Sequence, residues 1–200
     1  MSGTFPTSPA PSNVNISSVA PAFASVGHDL TQQTRSRGAQ RWGFEVEYSV
    51  SLRAEIGSIV GFLAAQKGRF EKFNFSPPCW YSQGTWAGFP ATDTGPHTGT
   101  SVPLTGFTPG ATVKAGDWLQ FAGNAKVYMV KSDVTADLSG ALTVELNTPL
   151  IVDPGTAATV STHTRASPLV FVVSLTDDAF GFDGQFDTVY ELTVLLQENV

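Results

Sequence analysis

The side chains best suited to chemistry fall into four sets. Asp177, Asp178, Asp183 and Asp187 make the densest acidic stretch, within "TDDAFGFDGQFD", and a loop that offers several carboxylate oxygens is what calcium takes. Their spacing matches no EF-hand, and a solvated hairpin accounts for the same residues. Glu45 and Glu47 lie two apart, so on a strand they share one face, as the paired carboxylates of a glycosidase would. Alternating charge on the solvent face of a sheet explains them more simply. His28, His97 and His163 have no second His or Cys at ligand spacing, which argues against zinc and reads as surface or capping histidines. The fourth set is aromatic: Trp80, Tyr81, Trp86 and Phe89 crowd into "CWYSQGTWAGFP". Exposed rings of this kind stack on sugars or anchor an interface; packing over the core is the third reading, and the sequence leaves all three open. No Gly-rich phosphate loop and no GxSxG elbow occurs. The expectation is no catalytic residue, no metal site and no cofactor.

Composition narrows the classes further. The chain has 200 residues, 42% of them hydrophobic and only 14% charged, against roughly 25% charged in ordinary soluble domains. That length and apolar content allow one substantial domain or two small ones with a real core. Lys and Arg number 11 against 17 Asp and Glu, for a net charge of −6, which disfavours a phosphate-backbone partner and so nucleic acid. The few cations do cluster: Arg35, Arg37 and Arg41 in "TRSRGAQRW" read as a solvated strand entrance or an intersubunit contact. Cys79 is the only cysteine, so no intrachain disulfide forms, and a thiol packed beside Trp80 is expected. The amino terminus lacks the basic and apolar regions of a secretory signal, and no run reaches the ~18 apolar residues of a membrane helix. A soluble chain made in the cytoplasm, without membrane insertion, is expected.

The elements that must position these residues are mostly strands. Pro6, Pro9 and Pro11 among Ser and Thr make residues 1–14 an extended, proline-broken segment. "AFASVGH" reads as a short strand. "QRWGFEVEYSVSL" reads as a long one, with Trp42, Phe44, Val46 and Tyr48 on one face. In "RAEIGSIVGFLAAQKG" the period changes to that of a helix, with Ile56, Ile59, Val60, Leu63 and Ala64 on one side and Gly68 at the left-handed stop. "RFEKFNFSPP" alternates as a strand that the double proline ends. Residues 79–103 hold too many Gly, Pro and Thr for regular structure. Short strands with local turns, "DLSG" and "VDPG" among them, fill 104–160. "SPLVFVVSL" suits a central strand buried on both faces, and "TVYELTVLLQE" alternates beside it. Gly181 and Gly184 suit the tip of the hairpin between them.

Two stretches carry a resemblance. The order strand, helix with an acidic residue and an "FL" pair, glycine, aromatic strand and proline in "RWGFEVEYSVSLRAEIGSIVGFLAAQKGRFEKFNFSPP" resembles the amino-terminal half of the distal tail proteins and related minor tail-tip proteins of long-tailed bacteriophages. "VKAGDWLQFAGNAKVYMVKSDVTADLSGALTVELNTPLI" is similar to a phage-tail segment, and "VYELTVLLQE" to the closing strand of that fold. The resemblance spans about 20–75 and 104–198; the aromatic-rich residues 79–103 depart from it. It implies a mainly β protein with one flanking α-helix: an extended arm over 1–19, a β-sandwich core over 20–103 and 161–200 with its helix at about 53–67, and an inserted β-barrel-like module over 104–160. It also implies a non-enzymatic virion protein of the tail tip, in a self-assembled ring, as a hexamer or a trimer. Partners would be the tail tube protein, the baseplate hub or tail-associated protein, and the tape measure protein or fibres. Against it stand a carbohydrate-binding β-sandwich module that uses the aromatic loop, and a cell-wall glycosidase.

Overall fold

The computed structural model describes residues 3–185 and 189–200. In chain order, β1 (Asn13–Val19), β2 (Ala22–Val26), β3 (Gln32–Ser36) and β4 (Arg41–Leu52) lead directly into α1 (Arg53–Ala65), and β5 (Phe73–Phe75) follows. The next eight strands are short: β6 (Gly88–Thr92), β7 (Ser101–Phe107), β8 (Thr112–Val113), β9 (Trp118–Phe121), β10 (Val127–Met129), β11 (Val134–Thr135), β12 (Leu142–Glu145) and β13 (Val160–Thr162). β14 (Phe171–Leu175), β15 (Phe182–Gln185) and β16 (Val189–Glu198) complete the chain. Among the described residues the protein is mainly β with one α-helix, in several sheets, none closed into a barrel.

Two compact units divide these elements: residues 1–76 with 171–200, and Pro77–Val170. The first holds a six-stranded antiparallel sheet in the order β1-β4-β16-β14-β5, with β15 also on β16, and the separate pair β2-β3. Period-two alternation puts Phe44 and Val46 of β4 opposite Leu196 and Val194 of β16, all buried, while Glu45 and Glu47 fall on the other face and accept hydrogen bonds from the Asn15 and Asn13 amides. β14 is buried along its whole length, as its continuous apolar run requires of a strand with neighbours on both sides. A helix, not a second sheet, covers the inner face: Ile56, Ile59 and Leu63 of α1 are buried, and the Phe62 ring meets Phe73 edge-on at 5.2 Å. Val60 is half-buried and Ala64 exposed, so the apolar stripe is narrower than expected. Glu55 reaches back to the Leu52 N–H at 3.3 Å and caps the helix start. At its end Lys67 and Gly68 both take left-handed φ, and a 3-10 turn, Gly68–Phe70, replaces the first half of the strand expected there.

The amino-terminal segment is not a free arm. Phe5 is 4% exposed and packs against Phe62, Phe73 and Phe75, its backbone N–H bonded to the Asn74 carbonyl. One large ring is enough to seat a segment whose prolines forbid regular pairing. Residues 13–19 then form β1, paired along its length with β4. What does project is the next segment. Val19 pairs directly with Arg41, so the β2–β3 hairpin leaves and returns at one point of the sheet, and every residue from 17 to 39 is exposed.

The second unit is wider at both ends than the expected insert at 104–160. β6 pairs with β7, and Thr92 hydrogen-bonds to Ala158, so the aromatic segment belongs to this unit and not to the sheet before it. Its sheets are β10-β9-β13, β12-β7-β6 and the pair β11-β8. They wrap one core that includes Leu104, Val113, Leu119, Tyr128, Val144 and Leu146. The "DLSG" turn is as expected: the Asp137 carboxylate accepts the Ser139 hydroxyl and the Ala141 and Ser139 N–H groups, which holds its proton affinity below the usual carboxylate range.

The chain enters and leaves this unit between antiparallel neighbours, since Phe75 stands opposite Phe171. A chain in which a two-residue Asn-Gly turn replaces residues 76–170 is therefore expected to fold, because such a turn closes a hairpin between the paired residues Phe75 and Phe171. Circular dichroism and a cooperative melt check this; a molten product would show that the first unit depends on the second.

Candidate functional site

The aromatic segment is organised by one carboxylate. Asp117, 2% exposed, lies immediately before β9, after a turn in which Gly116 has φ +90. Its Oδ1 accepts the Gln83 N–H at 2.7 Å. Its Oδ2 accepts the N–H groups of Gly84 at 3.1 Å and Lys114 at 3.0 Å, and the Trp86 indole Nε1–H at 2.8 Å. Four donors from two chain segments converge on one buried anion, the arrangement that lets a carboxylate stay inside without a cation. Gly84 is required there, since a Cβ would collide with the Thr112 carbonyl and with Asp117 itself.

The four sequence-predicted residues separate. Trp86 is 9% exposed and belongs to the core, so it is a packing residue. Phe89, on β6, is 91% exposed and does not line the site. Trp80 and Tyr81 come together at a surface pocket of about 390 Å³, whose other lining residues are Gln83, Ala115, Gly116 and Asp117. Trp80 is 55% exposed yet held: its Nε1–H donates to the Gly116 carbonyl at 2.9 Å, and its ring lies 6.3 Å from that of Trp118. Its φ of +63 and that of Trp86 at +43 are left-handed values that bulky side chains rarely adopt, at a cost of ~1–3 kcal/mol each.

Behind Tyr81 stands a histidine expected as a surface or capping residue. His163 is fully buried and stacks on the Tyr81 ring at 5.1 Å and 9°. Its Nδ1 accepts the Leu169 N–H at 2.9 Å, so the proton sits on Nε2, which donates to the carbonyls of Cys79 at 3.0 Å and Pro77 at 3.1 Å. Burial pushes its pKa down, the two carbonyls opposing. The Arg165 guanidinium lies 5.4 Å from the Tyr81 centroid. His97 is buried too, its Nε2 against the Asp93 carbonyl at 3.1 Å; His28 alone is at the surface. Cys79 is half-buried, and burial raises its thiol pKa.

The remaining candidates do not converge. Asp178 accepts two bonds from the Arg69 guanidinium, at 3.2 and 3.3 Å, Asp183 stands opposite Glu191 in the β15–β16 ladder, and Asp187 lies outside the described residues. Gly184 is within β15, not at a tip. Among the described residues no three His, Cys, Asp or Glu side chains are placed to hold a metal ion. No protein-family model matches this chain, and no curated protein matches it.

Two outcomes follow from this geometry. Asp117→Ala strands four donors, each costing ~1–3 kcal/mol when buried and unsatisfied, so denaturant unfolding should show a loss of at least ~3 kcal/mol. For His163, a folded pKa below the unfolded value means that the unfolded chain binds the extra proton. The stability from neutral His163 is complete above the unfolded value of about 6.5 and is lost as pH falls through the lowered folded value. The melting temperature should therefore fall as pH drops below about 6.5, less steeply in His163→Gln, which keeps an amide donor near Nε2.

Proposed function

We propose that this chain is a structural subunit that assembles with copies of itself into a ring, in the manner of the tail-tip proteins its strand and helix order resembles, as a virion component between tail tube and baseplate hub. The observation that carries this reading is the β2–β3 hairpin. Its strands pair from Ala22↔Ser36 to Val26↔Gln32, and Asp29 braces the tip by accepting from Thr31, but every residue of both strands is exposed. An isolated two-stranded hairpin is marginal in water. This one also exposes Phe23, Val26 and Leu30, the last by 85%. Large apolar side chains on a projecting element mark a contact surface.

Charge supports a second copy as the occupant. The hairpin and its base carry Arg35, Arg37 and Arg41 against Asp29, with Arg37 lying 5.0 Å over the Phe23 ring, while the chain as a whole is at −6. The outward face of the sheet presents Glu45, Glu47 and Glu191 beside exposed Leu195. A basic apolar hairpin on one copy and an acidic face with an exposed leucine on the next are heterologous surfaces, which close into a ring when the rotation permits. Residues 1–14, whose Phe5 is committed to the chain's own core, are not the contact in this reading; the hairpin is.

Sedimentation velocity and negative-stain electron microscopy test this reading. The intact chain should form closed rings, and Phe23→Asp combined with Leu30→Asp should shift it to monomer with the melting temperature of the monomer unchanged, because both side chains are exposed. A monomeric intact chain, or rings unaffected by the double change, refutes it.

A further inference from the structure

We infer that the pocket at Trp80 is a saccharide site that takes a neutral, β-linked oligosaccharide of gluco or galacto configuration. This does not rest on the assembly reading. The indole of Trp80 offers an exposed apolar ring whose position is fixed in advance by the bond to the Gly116 carbonyl and the contact with Trp118, so little freedom is lost when a ligand stacks on it. Polar groups surround that ring. Gln83 is exposed and bonds through Nε2 to the Tyr81 carbonyl, while its Oε1 and the Tyr81 hydroxyl have no partner among the described residues. A flat apolar ring with a free amide oxygen and a free hydroxyl beside it matches a pyranose, which presents an apolar C–H face and a rim of hydroxyls.

The lining also selects against charge. Of the six lining residues only Asp117 is ionisable at neutral pH, and its oxygens face inward to four donors. A nucleobase would stack equally well on the indole, but its phosphates would meet a chain at −6 whose pocket lining holds no cation, and the neighbouring Arg165 guanidinium is engaged with the Tyr81 ring, 5.4 Å from its centroid. The left-handed φ of Trp80 fits the same reading, since strain retained at an exposed residue holds a side chain where packing alone would not put it.

Trp42, Trp86 and Trp118 are buried, at 3%, 9% and 0% exposure, so a ligand-dependent change in tryptophan emission reports on Trp80. The full chain is titrated with cellotetraose, chitotetraose and β-1,4-galactotetraose, and with α-mannotetraose, in which axial oxygens interrupt both ring faces. Saturable quenching with a blue shift is expected for at least one β-linked probe and not for α-mannotetraose. Trp80→Ala should abolish the shift, and isothermal titration should show affinity weakened at least tenfold. Gln83→Ala, a change at an exposed side chain, should weaken binding severalfold with the melting temperature unchanged. Absence of any shift with all three β-linked probes, an equal response to α-mannotetraose, or wild-type affinity in both variants overturns the proposal.

Discussion

The ladder between β4 and β16 is the constraint on which the first unit depends. It joins residues 41–52 to 189–198 over eight register pairs, so two long strands far apart in the sequence lie side by side within one sheet. Around that pair, β1 adds to the free side of β4, and β14 and β15 add to β16. The far end is locked by Glu198, a fully buried residue whose carboxylate accepts the Trp42 N–H at 3.2 Å. A contact across 156 residues forms only after a long loop is closed, which costs entropy before it returns any. The β4–α1–β5 segment, whose contacts are local, is the natural base on which β14 and β16 are added.

The second unit answers a different problem. Its strands run from two to seven residues, and no sheet within it exceeds three strands, so ladder bonds alone would not fix it. Its order comes from carboxylates and hydroxyls that tie loops to strand ends: Asp117 to residues 83–86, Asp153 to the backbone of His97 and Gly155, and Thr92 to Gly155 and Ala158. Asp117 matters most, because the bond to Trp86 draws one tryptophan inward while the turn at Gly116 holds the other outward. Burial of Trp86 and exposure of Trp80 are two results of one local geometry.

The parts legible in the sequence were those governed by periodicity. Alternation located β4 and β16, a continuous apolar run located β14, the 3.6 period located α1, and the DLSG stretch fixed its turn through a side-chain acceptor. The parts that were illegible depend on single residues reaching across sequence. Nothing in "PTSPAPSN" says that Phe5 before it fills the space between Phe62 and Phe73. Nor does composition distinguish His163, buried between a backbone N–H and two carbonyls, from a surface histidine. Asp117 had one local signal, an Asp after Gly in a turn, where carboxylates often accept backbone N–H groups, but its reach to residues 83–86 is tertiary. The four aromatics looked equivalent because ring count carries no information about direction.

A sheet edge adds to the assembly reading. β5 is shielded, since Thr4 bridges to Asn74 in parallel and Phe5 covers its end. β1 is the opposite edge, seven residues in unbroken register with β4. Natural edges that must stay single are blunted by lysine, proline, a bulge or shortness. "NVNISSV" has no charge and no proline, and no bulge interrupts it, so the usual protections are missing at the edge from which the exposed hairpin springs. Under the assembly reading these two features have one cause: a strand that a neighbouring copy covers needs no protection, and a hairpin that grips that neighbour needs no core of its own.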